Sequence, residues 1–293
     1  MSFIDAYENY KIYASKRHKK QGFDTITNDF NLHILPYFSD CNLCDITKQD
    51  IISWQDNILS KGFSNNYNNK LYSTFNSFLN YCVNLDYLKK NYLCEVGRFK
   101  KKIEKNKYDV YNIHEFRHFR NGVNGFIYKQ FFNFMFFCGT RPSEAMALRF
   151  SDLNGRIVSI NHSIHRRGKR ELDSPKNQSS YRSFRLSYLM FFRIMLLKRL
   201  YVKKYGYGID YFIFGGLKPL STTTIDRVKH RACLKKNIRE ITQHQFRHSY
   251  ATYLIHKGVP IDYVSRSMGH SHSSTTLDIY LHQEKKSNWR YSF

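Results

Sequence analysis

Helix start and stop signals stand beside reactive side chains in the second half of this chain. Thr242-Gln243-His244-Gln245 has the Thr-x-x-Gln form of a capping box, which predicts a helix beginning there. Pro142 suits the first turn of another helix, and Gly269 suits the left-handed residue that follows a helix's last turn. The side chains beside these signals, with a tyrosine farther on, are Arg141, His244, Arg247, His270 and Tyr280.

These five side chains predict phosphate chemistry. Two arginines and two histidines can surround one phosphate, and a tyrosine hydroxyl can attack it without a metal ion. A guanidinium matches two phosphate oxygens with a planar fork, and a helix N-terminus favours anions. Each of these motifs, taken alone, also has a simple structural interpretation. His-x-x-Arg is often a surface hydrogen-bonding pair, and Tyr280 is one of 23 tyrosines.

The charge of the chain favours nucleic acid as a partner. Its 293 residues include 47 Lys and Arg against 23 Asp and Glu, a formal net charge of +24. Such a surplus attracts polyanions and repels itself without them. The sequence contains no apolar run of about 18 residues, so it predicts no membrane-spanning helix. The N-terminus lacks the basic and apolar regions of a secretory signal.

The six cysteines are mostly scattered, as in reduced cytosolic proteins, and we expect a cytoplasmic, nucleoid-associated protein. Cys41 and Cys44 have the spacing of half a zinc site or of a redox pair. No second Cys/His pair follows at a usable distance, so we assign no metal.

Helical patterns dominate the first hundred residues. The predicted helices are Phe3 to about Arg17, Asp24 to Leu35 ahead of Pro36, one capped by Thr47 and Asp50, and Ser64 to Asn84. The second half predicts a mostly helical unit with one small antiparallel sheet. Its predicted elements are a buried helix over Tyr128–Phe137, strands over Arg156–Ile160 and Tyr181–Leu186, and helices at about 188–203, 222–236, 244–257, 260–268 and 273–282.

The ordered motifs resemble the tyrosine recombinases, or phage integrases. That signature has an Arg followed by an acidic residue, then His-x-x-Arg, Gly-His, and a Tyr about ten residues on. The resemblance implies a mainly α fold with a small antiparallel β-sheet. It implies a helical core-binding DNA-binding domain at 1–103, a basic linker at 104–109, and a mixed α/β catalytic domain at 110–293.

The resemblance also implies a role for each residue. Tyr280 would be the nucleophile, forming a 3′-phosphotyrosyl bond, and Glu144 would orient Arg141. The family's general acid is a lysine in a pattern like Pro-Lys-Thr-x-x-Ser-x-Arg. Ser174 to Arg182 matches that pattern except at Asn177, which favours Lys176 as the acid and leaves Lys169 as a rival. No cofactor is implied, because the phosphotyrosyl bond conserves the energy of the cut.

Basic residues outside this set are candidates for contacts with the DNA backbone. They are Lys100, Lys101, Lys102, Lys105, Arg166 and Arg167. A run of charges is otherwise often only a solvated surface. The lysines from Lys100 to Lys105, however, lie between two proposed DNA-binding domains, and we expect them to follow the phosphate backbone.

The expected partner is double-stranded DNA carrying specific recombination sites, on which the chain assembles as a homotetramer. The chain begins close to its helical block, so we expect no arm-site-binding domain. Three alternatives stay open: a type IB topoisomerase, a housekeeping chromosome-dimer recombinase and an inactive DNA-binding relic. The target sequence, the order of strand exchange and any need for host DNA-bending or excision factors are not predicted.

Overall fold

The computed structural model describes residues 1–100, 109–164, 172–173 and 181–269. The chain separates into two compact units, Met1–Lys105 and Asn106–Phe293. Among the described residues, no helix combines the length and the apolar character that a membrane crossing requires.

The first unit is helical, and side chains at the helix starts explain where several of its helices begin. Its elements are α1 (Phe3–Ser15), α2 (Lys20–Asp29), a π-helical turn (Phe30–Ile34), α3 (Leu35–Phe38), a 3₁₀ turn (Leu43–Asp45), α4 (Lys48–Ser60), α5 (Asn65–Asn84) and α6 (Tyr92–Val96). The predicted cap of α4 is confirmed: the Thr47 N–H donates to Asp50 over 2.8 Å, and the Asp50 N–H donates to the Thr47 hydroxyl over 3.3 Å. Ser64 caps α5 with a single contact, in which its hydroxyl accepts the Tyr67 N–H over 3.3 Å.

The predicted helix from Asp24 to Leu35 is wrong at both ends. Helix α2 begins four residues earlier, at Lys20, and the chain stays helical past Pro36. Proline in an α-helix lacks one N–H and crowds the carbonyl four residues before it. Here a π-helical turn precedes Pro36, which lies in the first turn of α3. No α-helical hydrogen bond is required of a residue at that position.

The second unit combines helices with short antiparallel strands. Its helices are α7 (Ile113–Gly122), α8 (Phe126–Cys138), α9 (Pro142–Ala147), α10 (Tyr188–Tyr205), α11 (Thr222–Lys236), α12 (Gln243–His256) and α13 (Ile261–Met268), with a 3₁₀ turn at Phe150–Asp152. Its strands are β1 (Leu153–Asn154), β2 (Ile157–Ile160), β3 (Ser163–Ile164), β4 (Leu172–Asp173) and β5 (Arg182–Arg185). The predicted helix at 273–282 lies outside the described residues.

The two predicted strands pair as the core of the sheet. In the described chain, the three-stranded sheet has the order β1-β2-β5, with Ile157 opposite Arg185 and Ile160 opposite Arg182. Strands β3 and β4 form a separate antiparallel pair. The mainly α fold with a small antiparallel sheet is therefore confirmed.

Helix α8 forms the centre of the second unit's core. Phe131, Phe132, Phe134 and Phe136 are fully buried, and burying aromatic rings on several faces of one helix requires neighbours on every side. Helix α12 packs along α8. Because Arg247 lies on α12, this packing brings its side chain to the end of α8.

Candidate active site

The start of α12 has the predicted capping box. The Thr242 N–H donates to the Gln245 side chain over 2.5 Å, and the Gln245 N–H donates to the Thr242 hydroxyl over 3.3 Å. His244 follows in the first turn, where its side chain is exposed. Arg247 lies one turn later, with only 3% of its side chain exposed. One helix end thus presents an accessible imidazole beside a buried guanidinium.

A second hydrogen-bond pair holds α12 against the beginning of the unit. The Ser249 hydroxyl donates to the Gln245 carbonyl over 2.7 Å and accepts the Tyr111 N–H over 3.0 Å. Ser249 is completely buried. A buried polar pair of this kind has one favourable geometry, which fixes how α12 is placed.

Arg247 joins the ends of two other helices. It donates to the Gly139 carbonyl at the end of α8 over 2.9 Å and to the Met268 carbonyl at the end of α13 over 2.5 Å. The last carbonyls of a helix have no partner within the helix, and an arginine can satisfy them. Burial, with the charge of Arg141, lowers the pKa of Arg247 to about 9, against a smaller raising effect of Glu144. The guanidinium therefore stays charged at neutral pH.

Both of those helix ends need glycine. Gly139 and Gly269 have φ of +62° and +69°, which lies in the left-handed region that favours glycine. A Cβ at Gly139 would also lie 2.2 Å from the Tyr250 ring. The left-handed turn predicted at Gly269 is confirmed. His270, directly after it, lies outside the described residues.

Arg141 begins α9 as predicted, with Pro142 in the first helical position. Its backbone N–H donates to Glu144 over 2.8 Å, and its guanidinium donates to the other Glu144 oxygen over 2.7 Å. The guanidinium also donates to the Gly269 carbonyl over 3.1 Å. About a third of the side chain (30%) is exposed. Arg141 is thus held in place and still accessible to a ligand.

Glu144 is the centre of this cluster. Its side chain is 2% exposed, and its two oxygens accept hydrogen bonds from Arg182 over 3.2 and 2.7 Å. A further nitrogen, of Arg247, lies 4.0 Å away. Burial by itself raises the pKa of Glu144, but the hydrogen bonds and charge of Arg182, then the charges of Arg141 and Arg247, lower it below its ordinary value. The carboxylate is ionised at neutral pH.

Sequence reasoning gave Arg182 no role. Its side chain is 8% exposed and makes two hydrogen bonds with Glu144. The available signal was its place as the arginine of the Ser-x-Arg pattern that ends the lysine motif. Nothing local in that pattern indicates a partner 38 residues away.

His248 is the residue that follows Arg247 on α12. It is partly buried, and burial, followed by the charges of Arg247 and His244, lowers its pKa to about 4. It is therefore neutral at neutral pH and adds no charge to the arginine cluster.

The structure places only part of the predicted site. Arg141, Glu144 and Arg247 are brought together, and His244 lies on the same helix as Arg247. Lys100 is exposed and follows the buried Phe99. The predicted residues outside the described part of the chain are Lys101, Lys102, Lys105, Arg166, Arg167, Lys169, Lys176, His270 and Tyr280.

Family models match most of the chain. The model of the phage integrase family matches residues 109–287, and the model of the phage integrase N-terminal SAM-like domain matches residues 2–59. This chain belongs to the phage integrase family. The predictions of family, fold class and enzyme class are confirmed, and the enzyme is a tyrosine site-specific recombinase.

Individual proteins agree with this membership. The ICEBs1 integrase of Bacillus subtilis is 24% identical over 265 residues, which are 86% of this chain and 71% of that protein. The Tn1549 transposon integrase, solved with transposon right-end DNA, has a TM-score of 0.77 at 18% identity, covering 96% of this chain and 95% of that one. The lambda integrase tetramer on a Holliday junction has a TM-score of 0.73 at 14% identity, covering 95% and 77%. At these identities the solved structures show the shared fold.

Proposed function

We propose that this chain is the integrase of a phage or other mobile element, which cuts and rejoins DNA through a 3′-phosphotyrosyl intermediate. One observation carries most of this proposal. The guanidinium groups of Arg141 and Arg247 both donate to carbonyls of the turn at Met268 and Gly269, immediately before His270. Two cations are therefore anchored beside the Gly-His motif.

The charge of the cluster suits a phosphodiester. Three guanidinium groups lie around the carboxylate of Glu144, which leaves two positive charges for a ligand. Positioned donors of this kind stabilise charge that develops on the non-bridging oxygens of the phosphate. We assign that role to Arg141 and Arg247, assisted by His244 and His270.

In the proposed cleavage step, the Tyr280 oxygen bonds to phosphorus as the bond from phosphorus to the 5′ oxygen breaks. The tyrosine proton passes to an acceptor in the site, since a free tyrosine with a pKa of about 10 is neutral at neutral pH. Lys176 gives its proton to the departing 5′ oxygen. Rejoining reverses these transfers on another strand, so nucleotide energy is not consumed.

We further propose that the chain acts at the nucleoid as a tetramer on two paired DNA sites, with the domain boundaries at 1–103 and 110–293. The lambda integrase tetramer on a Holliday junction, which shares this fold, supports the assembly. Host DNA-bending or excision factors are additional partners to seek. The cleavage site is best sought in the DNA flanking the gene, as a repeated attachment site.

Covalent capture tests the proposed function. With a nicked suicide duplex that carries the cleavage site, the protein should form an adduct that survives a denaturing gel. The adduct should form in excess EDTA and without ATP, because side chains supply the charge stabilisation. No adduct, or a strict magnesium requirement for the cleavage step itself, would contradict the proposal.

A bridging-sulfur substrate tests the general acid. Lys176→Ala should slow cleavage by on the order of 10²–10⁴-fold, the usual contribution of general acid–base catalysis. Sulfur in place of the 5′ bridging oxygen leaves without a proton, so Lys176→Ala should regain much of its rate on that substrate. Arg141→Ala should not, because its proposed role concerns the non-bridging oxygens.

Lys169→Ala is the matched control for this experiment. It should cleave both substrates nearly as wild type does, with somewhat weaker binding at higher salt. If sulfur rescues Lys169→Ala and leaves Lys176→Ala inactive, the two lysine assignments are reversed.

A further inference from the structure

Arg182 holds the candidate site together without being one of its predicted phosphate ligands. Its guanidinium donates to both oxygens of Glu144, over 3.2 and 2.7 Å. Only 8% of the Arg182 side chain and 2% of that of Glu144 are exposed. Two parallel hydrogen bonds between a buried guanidinium and a buried carboxylate fix the orientation of the carboxylate as well as its distance from the arginine.

Through Glu144, this contact reaches the arginines assigned to the phosphate. The carboxylate oxygen that accepts from Arg182 over 2.7 Å also accepts the Arg141 N–H and lies 4.0 Å from Arg247. The other oxygen accepts from the Arg141 guanidinium. A shift of Glu144 would therefore move Arg141 directly and change the charge beside Arg247.

Arg182 also sets the charge available to a ligand. Without it, the Glu144 carboxylate would be balanced only by Arg141 and Arg247, and one positive charge would remain in place of two. Glu144 would then compete with the phosphate for the same guanidinium groups. In a site of low dielectric, a change of one unit charge at this range has a large effect.

We propose that Arg182 is a positioning residue: it neutralises and orients Glu144, so that Arg141 and Arg247 direct their charge at the scissile phosphate. Arg182 lies six residues after Lys176 in the chain. This inference rests on the proposed function.

The test measures single-turnover cleavage of the suicide duplex at saturating protein. Arg182→Gln should slow cleavage by about 10²-fold, the scale expected when a reacting group is displaced by about 1 Å. Arg182→Gln/Glu144→Gln restores two positive charges and keeps a side chain that can accept from Arg141. It should therefore cleave about tenfold faster than Arg182→Gln alone. Because the rate is measured on folded protein at saturation, a loss of stability alone would not slow cleavage, whereas a misdirected Glu144 would.

Two controls make the outcome decisive. Arg185→Gln removes an exposed arginine from the same strand and should cleave within about twofold of wild type, as surface changes usually do. Arg182→Lys keeps the charge and loses the planar fork, so it should lie between wild type and Arg182→Gln. It also serves as the test variant if Arg182→Gln fails to fold in a thermal melt.

Two results would overturn the inference while wild type still forms its adduct. The first is a folded Arg182→Gln or Arg182→Lys variant that cleaves at the wild-type rate. The second is a double variant no faster than Arg182→Gln. Failure of the wild-type protein to form any adduct would instead contradict the proposed function, so the two failures are distinguishable.

Discussion

Arg247→Lys is expected to slow DNA cleavage by on the order of 10²–10³-fold, the loss seen when one positioned charge-stabilising donor is removed. Lysine keeps the positive charge, but its compact ammonium group lacks the planar set of N–H donors with which a guanidinium binds acceptors on two sides. It cannot donate to the Gly139 and Met268 carbonyls together, as Arg247 does. DNA affinity should fall much less, since the net charge is unchanged. Single-turnover rates and equilibrium titrations on the same duplex separate the two effects.

Arg149→Lys is the matched control for this change. Arg149 is a partly exposed arginine that pairs with Asp210 over 3.6 Å, and exposed ion pairs contribute little. It should cleave nearly as wild type does. A folded Arg247→Lys protein that cleaves at the rate of Arg149→Lys would refute the role assigned to Arg247.

Tyr280→Phe is expected to abolish covalent capture completely and to leave DNA affinity nearly unchanged. The substitution deletes one hydroxyl, which is the atom that would bond to phosphorus, and it removes no charge. Wild type should give an adduct on a denaturing gel, and the variant should give none at any protein concentration. Equilibrium binding to the intact duplex checks that the variant still recognises its site.

Tyr263→Phe is the control for that substitution. Tyr263 lies on α13, 59% exposed, and lacks the Gly-His spacing that singles out Tyr280. Its variant should form the adduct as wild type does. An adduct that persists in Tyr280→Phe would mean that another residue is the nucleophile.

The parts of the fold that sequence predicted best are those set by local chemistry. Thr242 with Gln245 began α12, Pro142 began α9, and Gly269 ended α13, as expected. In each case the residue acts on the backbone within one helical turn: it supplies a hydrogen-bond partner, lacks an N–H that would be unpaired, or permits a left-handed turn. The neighbouring residues are therefore enough to predict where the helix begins or ends. Helix α5 and strands β2 and β5 were also found within a residue or two.

The features that sequence missed depend on distant partners. Arg182 is important because the chain's fold brings it to Glu144, and neither residue's neighbours indicate this contact. The π-helical turn before Pro36 is another case, since a helix can either stop at a proline or widen ahead of it. Tertiary packing decides which of these two outcomes occurs, and the local sequence pattern carries no information about that packing.

Within the site, the structure joins Arg141, Glu144 and Arg247, whereas the assignments of Lys176, His270 and Tyr280 remain predictions from motif spacing. The identity of the nucleophile is therefore the claim on which the mechanism depends most. It is also the claim that can be measured without any substitution.

The most direct measurement is to map the residue that holds the DNA. Wild-type adduct from the suicide duplex is digested with protease and nuclease, and the modified peptide is sequenced by mass spectrometry. We predict a nucleotide joined through its 3′ phosphate to Tyr280, with a free 5′ hydroxyl on the released strand. Attachment to any other residue, or through a 5′ phosphate, would contradict this account.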